Sequence, residues 1–329
     1  MKITIVIPVH GDRGVLRRCI SAACALDYDD YDVLVVGDRI TEDARRVVHE
    51  FPIRLINNDG VGVSAARNTG VRHALSDVVL FIDSDIELPS NALTMISESF
   101  GQAEIDGVIG LISEKLPYND FFSRYKNLWM YYSYSRLPEL VTLFYTSCAA
   151  IKKDVFLLLG GFDENYRAPS VEDTDFGRKI GEAGINILCR KDLQVIHWKS
   201  YSFTEVLRVD FLRSAALLKH IIRQPVRRRK RRVGETSVPA SYMASLPLAV
   251  VEAVGICGLA MTGHVFFFGI MAMAIVSIIG LNRGWLGYLH HRFGWLYLFR
   301  SCVFIHLELW LVMAGLVYGL GSYLKGERY

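Results

Sequence analysis

The run Val79-Leu80-Phe81-Ile82-Asp83-Ser84-Asp85 constrains the fold more than any other stretch of this chain. Short apolar runs containing β-branched residues form buried strands. Two carboxylates one residue apart cannot follow such a strand into a core, because an unpaired buried charge costs too much. The strand must therefore end at the carboxyl edge of a sheet, where open α/β folds bind ligands. Two hard oxygen donors at that edge suit Mg2+ or Mn2+, which proteins hold with one or two carboxylates beside substrate phosphates. A solvated turn that carries two Asp is the other reading of the same residues.

The preceding residues supply the rest of a sheet. Residues 3–7 are strand-like and stop at Pro8. Residues 13–25 place Val15, Leu16, Cys19, Ile20 and Ala23 at helical spacing, and 33–36 form a second strand ending at Gly37-Asp38. Residues 42–51 read as a helix, 53–56 as a third strand, and 63–75 as a third helix before the run that ends in Asp83. This alternation implies a parallel sheet with helices on both faces. Asp38, Asp83 and Asp85 all follow strands, so they share one edge.

Beyond Asp85 the pattern is less regular. Residues 121–137 mix Phe121, Tyr125, Trp129 and Tyr131 with Arg124, Lys126 and Arg136. That mixture suits a membrane interface, where amphipathic rings and long cations both find partners, and it equally suits a core helix with a polar face. Gly160-Gly161-Phe162-Asp163 is a turn, and Glu172-Asp173-Thr174-Asp175-Phe176 opens a helix through Gly184. Acidic residues in a first turn also favour the helix dipole without any further role. Val195-Ile196-His197-Trp198 closes a strand, and 203–222 is amphipathic.

The formal net charge of +3 gives no ground for a nucleic-acid partner, and no P-loop pattern is present. The chain is 51% apolar, and the apolar residues concentrate late. Residues 1–235 read as a cytoplasmic α/β domain and 236–329 as a transmembrane region. As one helix, 246–281 would be about 54 Å long, against a hydrocarbon core of roughly 30 Å. Two crossings, near 246–262 and 264–281 with a break at Thr262-Gly263-His264, fit better, and 296–320 supplies a third. Arg300 and Glu308 inside that last segment keep two crossings open as the alternative. The linker with Arg283, His290, His291 and Arg292 reads as a cytoplasmic loop. The cations Arg227-Arg228-Arg229-Lys230-Arg231-Arg232 precede the first apolar segment, as a positive-inside signal and an anionic-lipid contact do. These features predict a multi-pass protein of the cell (inner) membrane whose catalytic domain is cytoplasmic. No cleavable signal peptide is expected. The six cysteines lack zinc spacing and read as reduced thiols.

Taken together these landmarks resemble the family 2 glycosyltransferases with the GT-A nucleotide-diphospho-sugar transferase fold, a mostly parallel sheet flanked by helices. Ile5-Val6-Ile7-Pro8-Val9-His10 looks like the family's opening, with Pro8 beside the substrate. Val35-Val36-Gly37-Asp38-Arg39-Ile40-Thr41-Glu42-Asp43 is similar to its second-strand motif, with Gly37 replacing a first Asp and Asp38 at the base-binding position. Gly62-Val63-Ser64-Ala65-Ala66-Arg67-Asn68-Thr69-Gly70 is close to the family's G-x-x-x-A-R-N-x-G, and Asp83-Ser84-Asp85 is its D-x-D. Gly160-Gly161-Phe162-Asp163-Glu164 and Glu172-Asp173 look like its acceptor-side motifs. The resemblance covers residues 3 to about 200.

It implies an inverting, metal-dependent transfer from a nucleotide diphosphate sugar to a lipid-linked or envelope-glycan acceptor, with membrane lipids as further partners. Carried onto this chain, Asp38 would accept from the base and Asp83 would face the ribose. Asp85 would ligate Mg2+ or Mn2+, with His197 adding a metal or phosphate contact. Asp173 would deprotonate the acceptor hydroxyl, Glu172 would border the substrate, and Arg67 would orient the carboxylates. A structural role stays open for His197 and for Arg67. Three other readings compete. Gly60-Val61-Gly62-Val63-Ser64-Ala65 fits a dinucleotide fingerprint, although Asn57-Asn58-Asp59 separates it from the strand and such an NAD(P) site has no use for Asp85. A non-catalytic nucleotide-sugar-binding membrane protein would keep the fold without the chemistry. Gln224-Pro225-Val226-Arg227 is similar to the start of a processive-synthase Q-x-x-R-W motif, but Arg228 stands in the Trp position.

Overall fold

The structure, a computed structural model, describes residues 1–11, 14–102, 104–167, 170–224 and 237–329. The basic run at 227–232 and Arg13, at the start of the first expected helix, lie outside the described residues. The chain opens with β1 (Ile3–Val9), α1 (Leu16–Ala23), β2 (Tyr31–Gly37), α2 (Glu42–Val48), β3 (Arg54–Asn57), α3 (Val63–His73) and β4 (Val78–Phe81). These strands pair in the order β3-β2-β1-β4, all parallel, as the alternation requires. Ile5, Val6, Ile7, Leu34, Val35, Leu80 and Phe81 are fully buried, as expected of parallel strands covered on both faces. The Thr41 side chain caps α2 by accepting from Ala44 N, which fixes where the helix starts after Asp38.

The second half of the sheet departs from the expected parallel pattern. It is built from β5 (Ile86–Glu87), α4 (Ala92–Phe100), β6 (Gly107–Ile112), α5 (Phe121–Tyr134), β7 (Leu140–Val141), β8 (Ala149–Lys152), α6 (Lys153–Leu158), α7 (Glu172–Ala183) and β9 (Ile187–His197). The order continues β4-β8-β6-β9-β5, with β7 also on β9. β8 runs antiparallel to both β4 and β6, β5 and β7 run antiparallel to β9, and only β6 and β9 are parallel. The sheet is therefore mixed.

Five aromatic rings, Phe81, Phe144, Phe156, Phe162 and Phe176, interlock beneath the carboxyl edge, with neighbouring centroids as close as 4.7 Å for Phe162 and Phe176. Each buried ring contributes roughly 1.5–3 kcal/mol by burial, and each favourable ring pair about 0.5–1.5 kcal/mol more. This cluster matters for the site because Phe81 ends β4 just before Asp83, while Phe176 lies one turn after Glu172.

The remaining elements are α8 (Phe203–Arg223), α9 (Ala240–Thr262), α10 (Val265–Leu281), α11 (Arg283–Phe293) and α12 (Trp295–Leu324). The described residues form two compact units. One holds the sheet, with Met1–Asn119 and Tyr134–Ser200. The other is helical and holds Asp120–Ser133, the described part of Tyr201–Val226, and Val238–Tyr329. The helical unit thus takes α5 and α8 from the first part of the chain, an interleaving that a single cut at 235/236 does not express.

In the helical unit, α8 starts with a capping box between Ser202 and Glu205. Lys126 of α5 donates to Asp210 of α8 at 2.6 Å and to Glu308 of α12 at 2.9 Å. Tyr125 Oη donates to the same Glu308 at 3.2 Å. The break between α9 and α10 falls at Gly263, which has φ +65°, where the sequence places it. Residues 283–292 are a helix and not the expected loop, because Trp285, Leu286 and Leu289 share one buried face. Among the described residues α9 and α12 are each long and apolar enough to cross a membrane; α10 qualifies only together with α11, from which it is bent by 69°.

Candidate active site

The site is assembled from segments that follow the strand ends. After β4 the chain continues Ile82-Asp83-Ser84-Asp85, and α3 points a buried Arg67 at it. Arg67 splits its guanidinium between two carboxylates: one nitrogen donates to Asp83 at 2.8 Å and another to Glu172 at 3.0 Å. The second oxygen of Asp83 accepts from Ser147 Oγ at 2.8 Å, and the second oxygen of Glu172 accepts from Ser170 N at 2.8 Å. Burial works against the Arg67 charge, but Asp83 and Glu172 outweigh it and hold the group firmly cationic. The Arg67 side chain is 4% exposed, whereas that of Asp83 is 32% exposed. The cluster therefore has a sealed cation and one carboxylate open to a ligand.

Asp85 is fixed by the neighbouring pair of strands. The antiparallel register puts Ile86 opposite His197, and Trp198 N donates to the Asp85 carbonyl at 2.7 Å. His197 Nε2 then lies 3.6 Å from Asp85 Oδ1. Burial raises the Asp85 pKa, but the neighbouring His197 ring, with help from Lys199, outweighs it and keeps the carboxyl below its ordinary range. An ionised carboxylate beside an imidazole nitrogen is a donor set that a divalent first-row cation accepts. Among the described residues no group of three or more His, Cys, Asp or Glu is arranged to hold a metal. Two protein donors would leave the other positions to water and phosphate, which is how Mg2+-type sites are commonly completed. The residues therefore fit a divalent ion whose remaining positions are filled from outside the protein.

Asp38 lies at the end of β2, where its oxygens accept from Asn58 Nδ2 at 3.1 Å and from Gly62 N at 3.0 Å. Gly62 opens α3 with φ +92°, and a Cβ there would run into the backbone of Arg167, so only glycine permits both the turn and the contact. Pro8 is half-buried on β1 beside Val36 of β2 in register, and the His10 Nδ1 donates to the Asp38 carbonyl at 2.6 Å. Asp173 follows Glu172 in the first turn of α7, half-buried, and its Oδ1 accepts from Thr174 N at 2.7 Å.

The structure thus joins Arg67, Asp83 and Glu172 directly, and joins Asp85 to His197. Sequence reasoning missed Ser147, Asn58 and the role of Asn68. Ser147 carries no local signal, since it is brought to Asp83 only by the sheet. Asn68 sits inside the quoted A-R-N-x-G run. Its amide donates to Phe162 O and accepts from Phe162 N, each at 2.9 Å, and a Cβ on Gly161 would come within 2.6 Å of its oxygen. Gly161 lets that amide lock close, while Gly160 supplies a second positive-φ position, at +73°, in the turn.

The profile of Glycosyl transferase family 2 matches residues 4–158, a stretch that holds Asp38, Arg67, Asp83 and Asp85 and stops before Glu172, Asp173 and His197. Glycosyltransferase GlyA of Streptococcus pneumoniae serotype 4 is 24% identical over 196 residues, covering 56% of this chain and 27% of that protein. Poly(ribitol-phosphate) beta-glucosyltransferase of Bacillus spizizenii is 29% identical over 104 residues, covering 28% of this chain and 16% of that protein. The chain spans 27% or less of the length of these two curated relatives. Among solved structures, mannosyltransferase PcManGT from Pyrobaculum calidifontis, in complex with GDP-Man and Mn2+, is similar at a TM-score of 0.58 and 14% identity, covering 96% of this chain and 87% of that one.

Proposed function

We propose, from the premise that this chain is a glycosyltransferase carrying a family 2 domain on a GT-A-like fold, that it moves a sugar from a nucleotide diphosphate donor to an acceptor hydroxyl with inversion. The observation that carries this reading is the Arg67 fork, which presents Asp83 to solvent beside Asp85 while holding Glu172 next to Asp173. Asp173 takes the proton from the acceptor hydroxyl. The freed oxygen forms its bond to the anomeric carbon as the bond to the diphosphate oxygen breaks on the opposite face. A single displacement of this kind inverts configuration. Asp85 and His197 would hold Mg2+ or Mn2+, which when bound supplies Lewis-acid stabilisation of the leaving diphosphate. Asp38 and Pro8 border the base, and Asp83 faces the ribose.

The relative that acts on poly(ribitol-phosphate) supports an envelope-glycan or lipid-linked acceptor, and the apolar helices support a place at the membrane. Catalysis is assigned to residues 1–235, on the cytoplasmic face of the cell inner membrane, and membrane attachment to 236–329. A panel of radiolabelled nucleotide sugars incubated with membranes containing the chain tests this. One donor should label the lipid or polymer extract, and EDTA should abolish the labelling. Full labelling in EDTA would remove the metal, and no labelling from any donor would favour a module that binds nucleotide sugar without transferring it.

A further inference from the structure

The contacts of α12 conflict with three membrane crossings. α5 is joined at both ends to the sheet-bearing unit, since Asn119 and Tyr134 belong to that unit while Asp120–Ser133 belongs to the helical one. A helix tethered at both ends stays on the side of the membrane where the sheet is. Yet α5 grips the first half of α12. Tyr297 Oη donates to Phe121 O at 3.1 Å, the Phe304 ring lies 4.9 Å from that of Tyr125, and Lys126 donates to Glu308 at 2.9 Å.

From Glu308 onward α8 takes over. α8 begins directly after the sheet-bearing unit and carries Glu205, Arg208, Asp210, Arg213, Lys219 and Arg223, with Arg208 and Arg213 exposed. Helices with this many charges do not cross hydrocarbon. Its backbone abuts α12 so closely that a Cβ on Gly315 would lie 2.5 Å from Phe211 O, and one on Gly319 2.5 Å from Ala215 O. Further along, Lys219 Nζ donates to the carbonyl of Tyr329 at 3.0 Å. From Tyr297 to its last residue, the chain is held by two helices that do not leave the side of the sheet.

The α9–α10 hairpin differs. Its base is fastened by Glu252 of α9 to His306 of α12 at 2.9 Å, and by Asn282 to Ser245 at 2.8 Å. Beyond those ties the arms pack on each other through Gly255 against Met271 and Gly258 against Phe267. They expose Val254, Met261, Val265, Phe266, Met273 and Val276, and residues 253–277 contain no Asp, Glu, Lys or Arg. At 1.5 Å per residue the arms beyond the ties, 253–262 and 265–281, are about 15 and 25 Å long, short of a hydrocarbon core of roughly 30 Å. At the exit of α10 the helix axis swings by 69° into α11, whose Arg283, His290, His291 and Arg292 suit the headgroup layer.

We propose that the α9–α10 hairpin is a re-entrant anchor that enters one leaflet of a lipid bilayer and returns, while α5, α8, α11 and α12 lie at the surface. Tyr329 is then on the same side as the catalytic sheet. The inference rests on the membrane-bound reading above. The full chain, tagged at both termini, is placed in sealed vesicles of each orientation and treated with protease. Both tags should be lost in one orientation and both protected in the other. In parallel, His264→Cys at the hairpin tip should gain no labelling by an impermeant maleimide from either face, over the background of the parent chain, until detergent is added. Tags on opposite faces would overturn the placement of α12. Labelling of His264→Cys from the face opposite the tags would overturn re-entry and make the hairpin two crossings. A chain that does not sediment with vesicles would overturn the membrane-bound reading itself, while transfer by the soluble chain would leave the assigned chemistry standing.

Discussion

Each of the two units buries one cation between two carboxylates. In the sheet-bearing unit Arg67 holds Asp83 and Glu172, and in the helical unit Lys126 holds Asp210 and Glu308; all four contacts are 3.0 Å or shorter. The charge pattern is the same, but its exposure and geometry are not. The Asp83 side chain is 32% exposed, against 10% for Asp210 and 4% for Glu308. Arginine offers a fixed fork that grips each carboxylate by a separate nitrogen, whereas lysine is a point charge on a flexible stem. One arrangement aims a carboxylate at solvent with a defined orientation. The other closes three helices together. A buried charge cluster is thus evidence of a site only where one of its members still reaches outward.

That contrast makes opposite demands on substitutions. The largest effect is expected for Asp173→Asn, next to the open cluster. If Asp173 takes the acceptor proton, transfer falls by about 10²–10⁴-fold, while the melting temperature and donor binding stay near those of the parent. Near-normal transfer would move the base to Glu172 or Asp175. Lys126→Met should do the reverse. Leaving two buried carboxylates without a cation costs about 3–5 kcal/mol of stability, read by chemical denaturation, while turnover per folded molecule is unchanged. Burial opposes the Lys126 charge, but Asp210 and Glu308 outweigh it and raise its pKa above the ordinary 10.5. Its stabilisation is therefore present below about pH 10.5 for as long as Asp210 and Glu308 keep their charge and is lost as pH climbs through the raised value, so parent and variant should converge in strong alkali. The smallest effect is expected for Arg67→Lys, which keeps the charge and loses the fork. One charge-assisted hydrogen bond is worth about 1.5–3 kcal/mol, and transfer should fall alongside stability. Full transfer by Arg67→Lys would erase the distinction drawn between fork and point charge.

The legible parts of the fold were those with short-range signals. Strand ends at Asp38 and Asp83, helix starts at Glu42, Val63 and Glu172, and the break at Gly263 all follow from local alternation, caps and turn residues. The Arg67 contacts with Asp83 and Glu172 fall where the resemblance, and no local signal, places an orienting arginine. Three features were not legible. β8 offers only Ala149–Lys152, too short for a periodicity to reveal that it turns the sheet antiparallel. Ser147 reaches Asp83 across 64 positions, and Lys126 reaches Glu308 across 182. Such pairings are decided by tertiary packing, and nothing within a turn or two of any of these residues announces them. The linker at 283–292 carries the charges of a loop, yet Trp285, Leu286 and Leu289 share a buried face and make it a helix.

Asp38 has a consequence of a different kind. Its two oxygens are already engaged by Asn58 and by the N–H of Gly62, so the carboxylate is aimed before any nucleotide arrives. An arriving N–H can join this arrangement through a free lone pair and disturbs nothing. An arriving carbonyl meets only negative charge that cannot rotate away. Under the assigned role, this strand end would discriminate among nucleobases mainly by refusal, and its mark would be a set of excluded donors more than an unusually tight one.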